Sequence, residues 1–217
     1  MSFPSHDLDT APEASKPLLE QSQKAFGRLP GLHKVLAESP QAYEGYQVLH
    51  KLFTETDFDA EELTVVWQAI NVENECHYCV PAHTGIAKMM KVSDEISDAL
   101  RNETALPTPK LEALRTFTVQ MFRQRGNVSD DQMKAFFDAG YGHRAVLDVI
   151  LGMAQKTMSN YVNHVAQTPV DDVFKPLIHL MREVQNSSDY LQADEARIQV
   201  LKEDGKTAQS DKWMWVT

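Results

Sequence analysis

Cysteine is scarce in this chain, and the little there is lies in one place. Cys76 and Cys79 are the only two among 217 residues. Two cysteines placed at random would stand three apart about one time in a hundred, so chance explains the spacing poorly. Basic charge is also short. Lys and Arg number 21 against 31 Asp and Glu, for a net charge of −10. That is the wrong sign for a surface that neutralises phosphates, so no nucleic-acid partner is expected; solubility is the simplest use of the charge. No apolar run approaches membrane-spanning length, so no membrane partner is expected. The opening residues Met1-Ser2-Phe3-Pro4-Ser5-His6-Asp7 lack a basic segment followed by an apolar one, and a cytoplasmic, reducing location is expected. In that setting a close cysteine pair is more often redox-active or metal-binding than a staple. There is no internal repeat and no low-complexity tract.

Strand signals are missing as well: no alternating segment bounded by hairpin turns is found, so the fold class expected is all-α, a compact helical bundle. Helical signals are plentiful. Residues 1–15 are polar, carry Pro4 and Pro12, and read as a loosely ordered N-terminal arm. A helical domain is expected over 16–184. Its helices are Lys16 to Phe26, Leu32 to Ala37, one after the Ser39-Pro40 cap, one after the Asp59 to Glu62 capping box, His83 to Val92, one from Ser93, Lys110 to Arg125, Ser129 to Phe137, His143 to about Val165 and Val173 to Val184. The helix carrying Leu63, Val65, Val66, Trp67, Ala69, Ile70 and Val72 is apolar nearly all round and belongs in the core. Residues 185–217 read as a polar extension, an exposed helix around Asp194 to Leu201 or a flexible tail, ending in Trp213-Met214-Trp215. Two Trp at a terminus are expected to dock on this chain or on a neighbour.

The chemistry lies in Glu73-Asn74-Glu75-Cys76-His77-Tyr78-Cys79-Val80-Pro81-Ala82-His83. A helix starting near Cys76 would put that sulfur at a positive dipole end, which favours thiolate. His83, four residues after Cys79, would share its face and could accept or return a proton. Glu73 could fold back and orient the histidine or a water. Thiol, base and orienting carboxylate together make an activated nucleophile, and a second thiol can resolve a sulfenic acid into a disulfide. The candidate catalytic residues are therefore Cys76, Cys79, His83 and Glu73; Cys79 is the expected attacker because His83 follows it by one turn, and Cys76 is the alternative because a helix start favours its thiolate. Other readings stand beside this one. The cysteines could be small buried hydrophobes, His83 a core histidine, Glu73 and Glu75 solvated helix-end residues, and His77 exposed or at the rim. Cys76, Cys79 and His83, with Glu73 or His77, would also supply four zinc ligands in a non-catalytic binding or interaction module, although there is no second CxxC and no clear histidine pair elsewhere.

The segment Asn71 to His83 resembles the active-site segment of the alkylhydroperoxidase D-like branch of the carboxymuconolactone decarboxylase superfamily. The likeness extends to the Leu63 to Ile70 helix, Leu111-Glu112-Ala113-Leu114-Arg115, Val128-Ser129-Asp130, Ala139-Gly140-Tyr141, the Val146 to Ala154 helix and Thr157 to His164, and covers roughly residues 16–175. The resemblance implies an all-α homo-oligomer with thiol-dependent peroxidase or disulfide reductase activity. Its partners would be a small-molecule hydroperoxide and a thiol or protein electron donor, with no cofactor. Cys76, Cys79 and His83 carry over directly. The best-known members have a glutamate twelve residues before the first cysteine; here that position is Thr64. Glu62 is already used in capping, and the resemblance to relatives with a Glu-x-x-Cys-x-x-Cys pattern implies Glu73 as the better candidate for the acidic partner. The lactone decarboxylases lack the paired cysteines, so their activity is disfavoured.

Overall fold

A computed structural model of the chain describes residues 3–170 and, as backbone, residues 195–198 and 212–215. The chain divides into two compact units, Met1–Phe174 and Lys175–Thr217. In the first, a 3-10 turn at Glu13–Ser15 leads into nine helices among the described residues. They are α1 (Lys16–Phe26), α2 (Gly31–Leu36), α3 (Pro40–Thr54), α4 (Ala60–Glu73), α5 (Cys79–Met89), α6 (Asp94–Arg101), α7 (Pro109–Arg123), α8 (Asp130–Asp138) and α9 (His143–Ala166). The helical class read from the sequence is therefore the class observed.

Side chains that accept orphan backbone amides mark the helix starts. The Ser39 hydroxyl accepts from Ala42 N with Pro40 in the first turn of α3. Asp59 and Glu62 form both halves of a capping box on α4, at 2.9 and 3.1 Å. Ser129 and Gln132 do the same for α8. The helix ends follow a less familiar rule. Glu75, Lys91, Glu103, Arg125 and Gln167 have positive φ. Each is followed by an amide that bonds the carbonyl five residues back: Cys76 to Asn71, Val92 to Ala87, Thr104 to Ala99, Gly126 to Met121 and Thr168 to Asn163. This is the wrapped helix end usually given to glycine.

Every residue of α4 from Glu62 to Asn71 is buried, and the helix packs against α5, α6, α7 and α9. One core cluster lies around its first half and includes the stacked rings of Phe117, Phe136 and Tyr141, with centroids 4.0 and 4.5 Å apart. Glu62 is buried here. It pairs with Lys110 at 2.8 Å and accepts from the Tyr141 hydroxyl at 3.1 Å, so its role is structural as well as capping. The second cluster joins Leu19, Leu36, Tyr43 and Tyr46 to Cys76, Tyr78 and Cys79.

Two expectations change. Residues 3–15 are not loose. The His6 amide bonds Lys34 O at 3.0 Å, the His6 ring pairs with Glu38 at 2.6 Å, and Ala11 is buried. In the second unit, where an exposed helix around Asp194 to Leu201 or a flexible tail was expected, residues Glu195–Ile198 form a strand. Here β1 (Glu195–Ile198) pairs antiparallel with β2 (Lys212–Trp215), Glu195 opposite Trp215 and Ile198 opposite Lys212. Ile and Trp favour strands, but the ladder needs a partner segment that a local pattern does not reveal. The helix expected over Val173 to Val184, and the docking of the Trp213 and Trp215 side chains, lie outside the described residues.

Gly152 sets how closely α9 approaches. A Cβ there would come within 2.7 Å of the Phe53 ring and 2.9 Å of Val66, and Phe53 is fully buried. Gly152→Ala is expected to destabilise the fold by about 1–3 kcal/mol through overpacking, despite the better helix propensity of alanine. A lower urea midpoint at unchanged slope would show it.

Candidate active site

The end of α4 places the first thiol. Asn74 closes the helix, Glu75 turns with φ 50°, and the Cys76 amide returns to Asn71 O at 3.0 Å. Helix α5 then begins at Cys79, not near Cys76 as expected. The turn consumed by the α4 end delays the new helix, so the positive end of its dipole falls on the second cysteine. The Cys79 amide donates to Cys76 Sγ at 3.4 Å. Both thiols are free and buried, at 0% and 2% exposure.

Helix α9 supplies the polar groups around the thiols. Asn163 Nδ2 donates to Cys79 Sγ at 3.2 Å. Lys156 is 1% exposed, donates from Nζ to His83 Nε2 at 2.9 Å and interacts with the Cys79 sulfur. Asn160 Nδ2 donates to Asn71 Oδ1 at 3.0 Å and its Oδ1 accepts from Asn74 at 2.9 Å. Asn71 in turn donates to Gln68 Oε1 at 2.9 Å, and Gln68 donates to Val80 O at 3.1 Å. This amide chain ties the end of α4 to the start of α5 and to α9. A second chain runs behind His83, whose ring lies 4.9 Å from that of Trp67. Trp67 Nε1 donates to Gln155 Oε1 at 2.7 Å, and Gln155 Nε2 donates to His50 Nδ1 at 3.0 Å.

These surroundings divide the two thiols. Cys79 is held well below an ordinary thiol, first by a hydrogen bond from Cys76, then by the Lys156 charge and the Asn163 and Asn160 amides, against the opposing effect of burial. Cys76 is pushed up by the same hydrogen bond, which it donates, and by burial. The proton of the pair therefore sits on Cys76 and the charge on Cys79. Burial also lowers Lys156, opposed by the charges of Cys79 and Cys76. His83 is pushed well below its usual value by burial, then by Lys156 and His50. It is neutral, and because an ammonium can only donate, Nε2 is the acceptor and Nδ1 carries the proton. His83 Nδ1 and Asn163 Oδ1 are both buried with no hydrogen-bonding partner.

The structure thus brings Cys76, Cys79 and His83 together and leaves Glu73 out. The Glu73 carboxylate accepts from Arg123 Nε of α7 at 2.7 Å; its hydrogen-bonding partner is neither His83 nor a thiol. Residue 73 ends α4 before the chain turns, which directs it toward α7. His77 is exposed and bonds Thr168 O at 3.1 Å, at the rim. The group that meets His83 is Lys156, which sequence reading missed. Its signal was a lysine inside an otherwise apolar and amide-rich stretch of α9. No group of three or more His, Cys, Asp and Glu among the described residues is placed to hold a metal ion. His83 Nε2 faces the Lys156 Nζ. A pocket of about 220 Å³ lined by Asp57, Glu62, Lys110, Tyr141 and Arg144 contains none of these residues. No helix among the described residues is long and apolar enough to cross a membrane.

Solved structures share this architecture. The chain is similar to the alkylhydroperoxidase AhpD core of an uncharacterized peroxidase-related protein from Ralstonia eutropha JMP134. The TM-score is 0.72 at 19% identity, covering 79% of this chain and 93% of that one. A peroxidase-related protein from Silicibacter sp. TM1040 gives 0.69 at 16% identity, covering 80% and 92%. A cysteine-to-alanine variant of the debrominase Bmp8, in complex with 2,3,4-tribromopyrrole, gives 0.69 at 14% identity, covering 83% and 97%. The fold is therefore the alkylhydroperoxidase D-like helical fold that the motif resembles. Comparison with curated proteins gives no match. The profile described as "Transposase IS66 family" matches residues 144–217, a span that begins within α9 and excludes both cysteines and His83.

The two depressed histidines make the fold acid-sensitive. His50 is lowered to about 4, first by burial and then by Lys156. An unfolded chain takes up the proton near pH 6.5 while the folded one does not, so stability falls as pH drops from about 6.5 to 4. The loss from His50 is on the order of 3 kcal/mol before allowance for its partial exposure, with His83 adding in the same direction. Urea unfolding across that range is expected to show the decline, reduced in His50→Phe.

Proposed function

We propose that this chain is a thiol-dependent peroxidase, a disulfide oxidoreductase that reduces hydroperoxides through Cys79 and Cys76. The observation that carries the reading is the geometry: two buried thiols, the Cys79 amide 3.4 Å from Cys76 Sγ, Asn163 donating to Cys79 Sγ at 3.2 Å and the buried Lys156 interacting with the same sulfur, surroundings that favour charge on Cys79 and hold the proton on Cys76. A low-lying thiolate next to a resolving thiol is the arrangement that peroxide chemistry uses. The two unpaired polar atoms fit the same substrate. A hydroperoxide carries one O–H donor and two acceptor oxygens, matching Asn163 Oδ1 and the His83 Nδ1 proton.

In the first step Cys79 S⁻ attacks the terminal peroxide oxygen and the O–O bond breaks. Cys79 becomes a sulfenic acid and the alkoxide leaves with a proton from His83 Nδ1, replenished through Nε2 from Lys156. In the second step Cys76 attacks the Cys79 sulfur, the S–O bond breaks, and the Cys76 thiol proton passes to the departing hydroxide, which leaves as water. The disulfide holds the two electrons given to the peroxide, and an external dithiol returns them. Lys156 thus takes the place that an acidic partner was expected to fill.

Mass spectrometry of the reduced protein after one equivalent of hydroperoxide is expected to find both thiols lost as one internal disulfide. If both thiols stay free and the peroxide persists, the proposal fails. Cys79→Ser should abolish peroxide consumption, and Cys76→Ser should stop it after one event with a sulfenic acid left on Cys79. Lys156→Met should slow the reaction by about 10²–10⁴-fold and move the acidic limb of its pH profile upward, because the thiolate loses its counter-charge. Glu73→Gln should stay within about fivefold of the parent, as befits a peripheral ion pair. The debrominase that shares the fold suggests one further electrophile for the same assay. Bromide released from a bromopyrrole, with peroxide untouched, would replace the proposal by reductive dehalogenation.

A further inference from the structure

Among the described residues no carboxylate pairs with the buried Lys156; the charges that favour its ammonium are those of Cys79 and Cys76. The other groups around it are accounted for. From α5, His83 Nε2 accepts from the lysine at 2.9 Å. From α3, His50 is held neutral by burial and by Lys156 itself, and burial keeps the Tyr46 hydroxyl protonated. From α4, Glu62 and Glu73 pair with Lys110 and Arg123. On α9 itself the next acidic or basic residues are Asp148 and His164, about two turns away on either side. The counter-charge of this cation is therefore a pair of sulfurs, and sulfurs lose their charge on oxidation.

Once a disulfide forms, burial still acts against the ammonium and no anion opposes it. A buried cation without a partner gives up its proton instead of staying charged. The geometry provides a path for that proton. His83 meets Lys156 through Nε2, while its other ring nitrogen, Nδ1, is buried with no hydrogen-bonding partner. We propose that Lys156 is an ammonium while the sulfurs are a thiolate and a thiol, becomes a neutral amine when they close into a disulfide, and is then the base that takes the proton of the incoming dithiol reductant. The peroxide step uses Lys156 as an acid; its use as the base of the return step rests on the dithiol–disulfide reading of Cys76 and Cys79.

The peroxide step leaves His83 with its proton on Nε2, facing the Lys156 amine, and with Nδ1 as an acceptor. In the return step a donor sulfur bonds to Cys76 Sγ and the Cys76–Cys79 bond breaks. Its electron pair goes to Cys79, the better leaving group of the two. The proton of that donor thiol passes to His83 Nδ1 as Nε2 gives its own to Lys156, which restores the ammonium beside the new thiolate. The donor's second sulfur then attacks the mixed disulfide, and Cys76 leaves and takes the second proton. The donor dithiol has lost two electrons and two protons to become a disulfide. The protein has gained both electrons, one proton on Cys76 and one on Lys156. No proton has to come from solvent, which suits sulfurs at 0% and 2% exposure.

The test is a redox titration of the full-length protein against dithiothreitol between about pH 6 and 7.5, below the ordinary thiol range near 8.5. The disulfide is prepared with diamide instead of peroxide. Dithiothreitol releases two protons with its two electrons. A protein that takes up both keeps an equilibrium constant that changes by less than about twofold across the range. That is the expected result, with the ultraviolet absorbance of the reduced protein reporting one thiolate throughout. A Lys156 that stays charged takes up one proton fewer, and the constant then rises about tenfold per pH unit, which overturns the proposal. A reduced protein without thiolate absorbance overturns it as well, because the second proton then sits on sulfur. Lys156→Arg keeps the cation and cannot release its proton, so about a tenfold rise per pH unit is expected of it. A folded Arg variant with a thiolate and a flat constant overturns the proposal; if this variant does not fold, the parent titration decides alone. A disulfide that forms with diamide in a protein that ignores peroxide removes the peroxidase reading and leaves this one standing. Thiols that close with neither oxidant remove both.

Discussion

A lysine ammonium within a helical core is unstable unless an anion or a set of acceptors meets it, because the cost of removing it from water reaches several kcal/mol. Lys156 is in that position, at 1% exposure. Its relief comes from the Cys79 sulfur and from a neutral imidazole, His83. The requirement runs both ways. Cys79 holds its charge in a buried place through the Cys76 hydrogen bond and then through the cation, and His83 stays unprotonated through burial and then through the same cation. The three groups form one electrostatic unit, and each residue's protonation depends on the other two.

That unit exists only if α4, α5 and α9 are held in register. The α4 end does part of this work, since Glu75 accepts a left-handed backbone so that Cys76 can fold back on Asn71. The chain of amides from Gln68 through Asn71 to Asn160 and Asn74 does the rest, fixing the Cys76–Cys79 turn to the helix that carries the lysine. Fully satisfied polar networks of this kind specify one arrangement of a core rather than several. The close contact at Gly152 sets the depth of α9 against Phe53 and Val66.

Much of this was legible from residues. The Asp59 to Glu62 capping box and the Ser39-Pro40 start are local chemistry, and both are present as read. The all-round apolar α4 identified itself as the central helix. Cys76, Cys79 and His83 were legible because spacing along one turn is a local property. Helix ends were harder, since five of them turn on Glu, Lys, Arg or Gln in place of glycine. That is why α5 was expected to begin three residues early and the dipole was assigned to the wrong sulfur. Glu73 was misread for a related reason. Proximity in sequence suggested the thiols, whereas its partner is Arg123, fifty residues on in α7.

The sequence by itself determined the helical class, the thiol pair and the histidine one turn beyond, because each depends on residues within a few positions of one another. Tertiary structure decided which sulfur carries the charge, which group answers His83, and what becomes of Glu73. Those outcomes depend on Lys156, Asn160 and Asn163, more than seventy residues downstream of the cysteines. They reach the site because α9 buries one face and not the other. Electrostatic assignment in a core is a property of all the groups that converge there, and convergence is what a linear pattern does not contain.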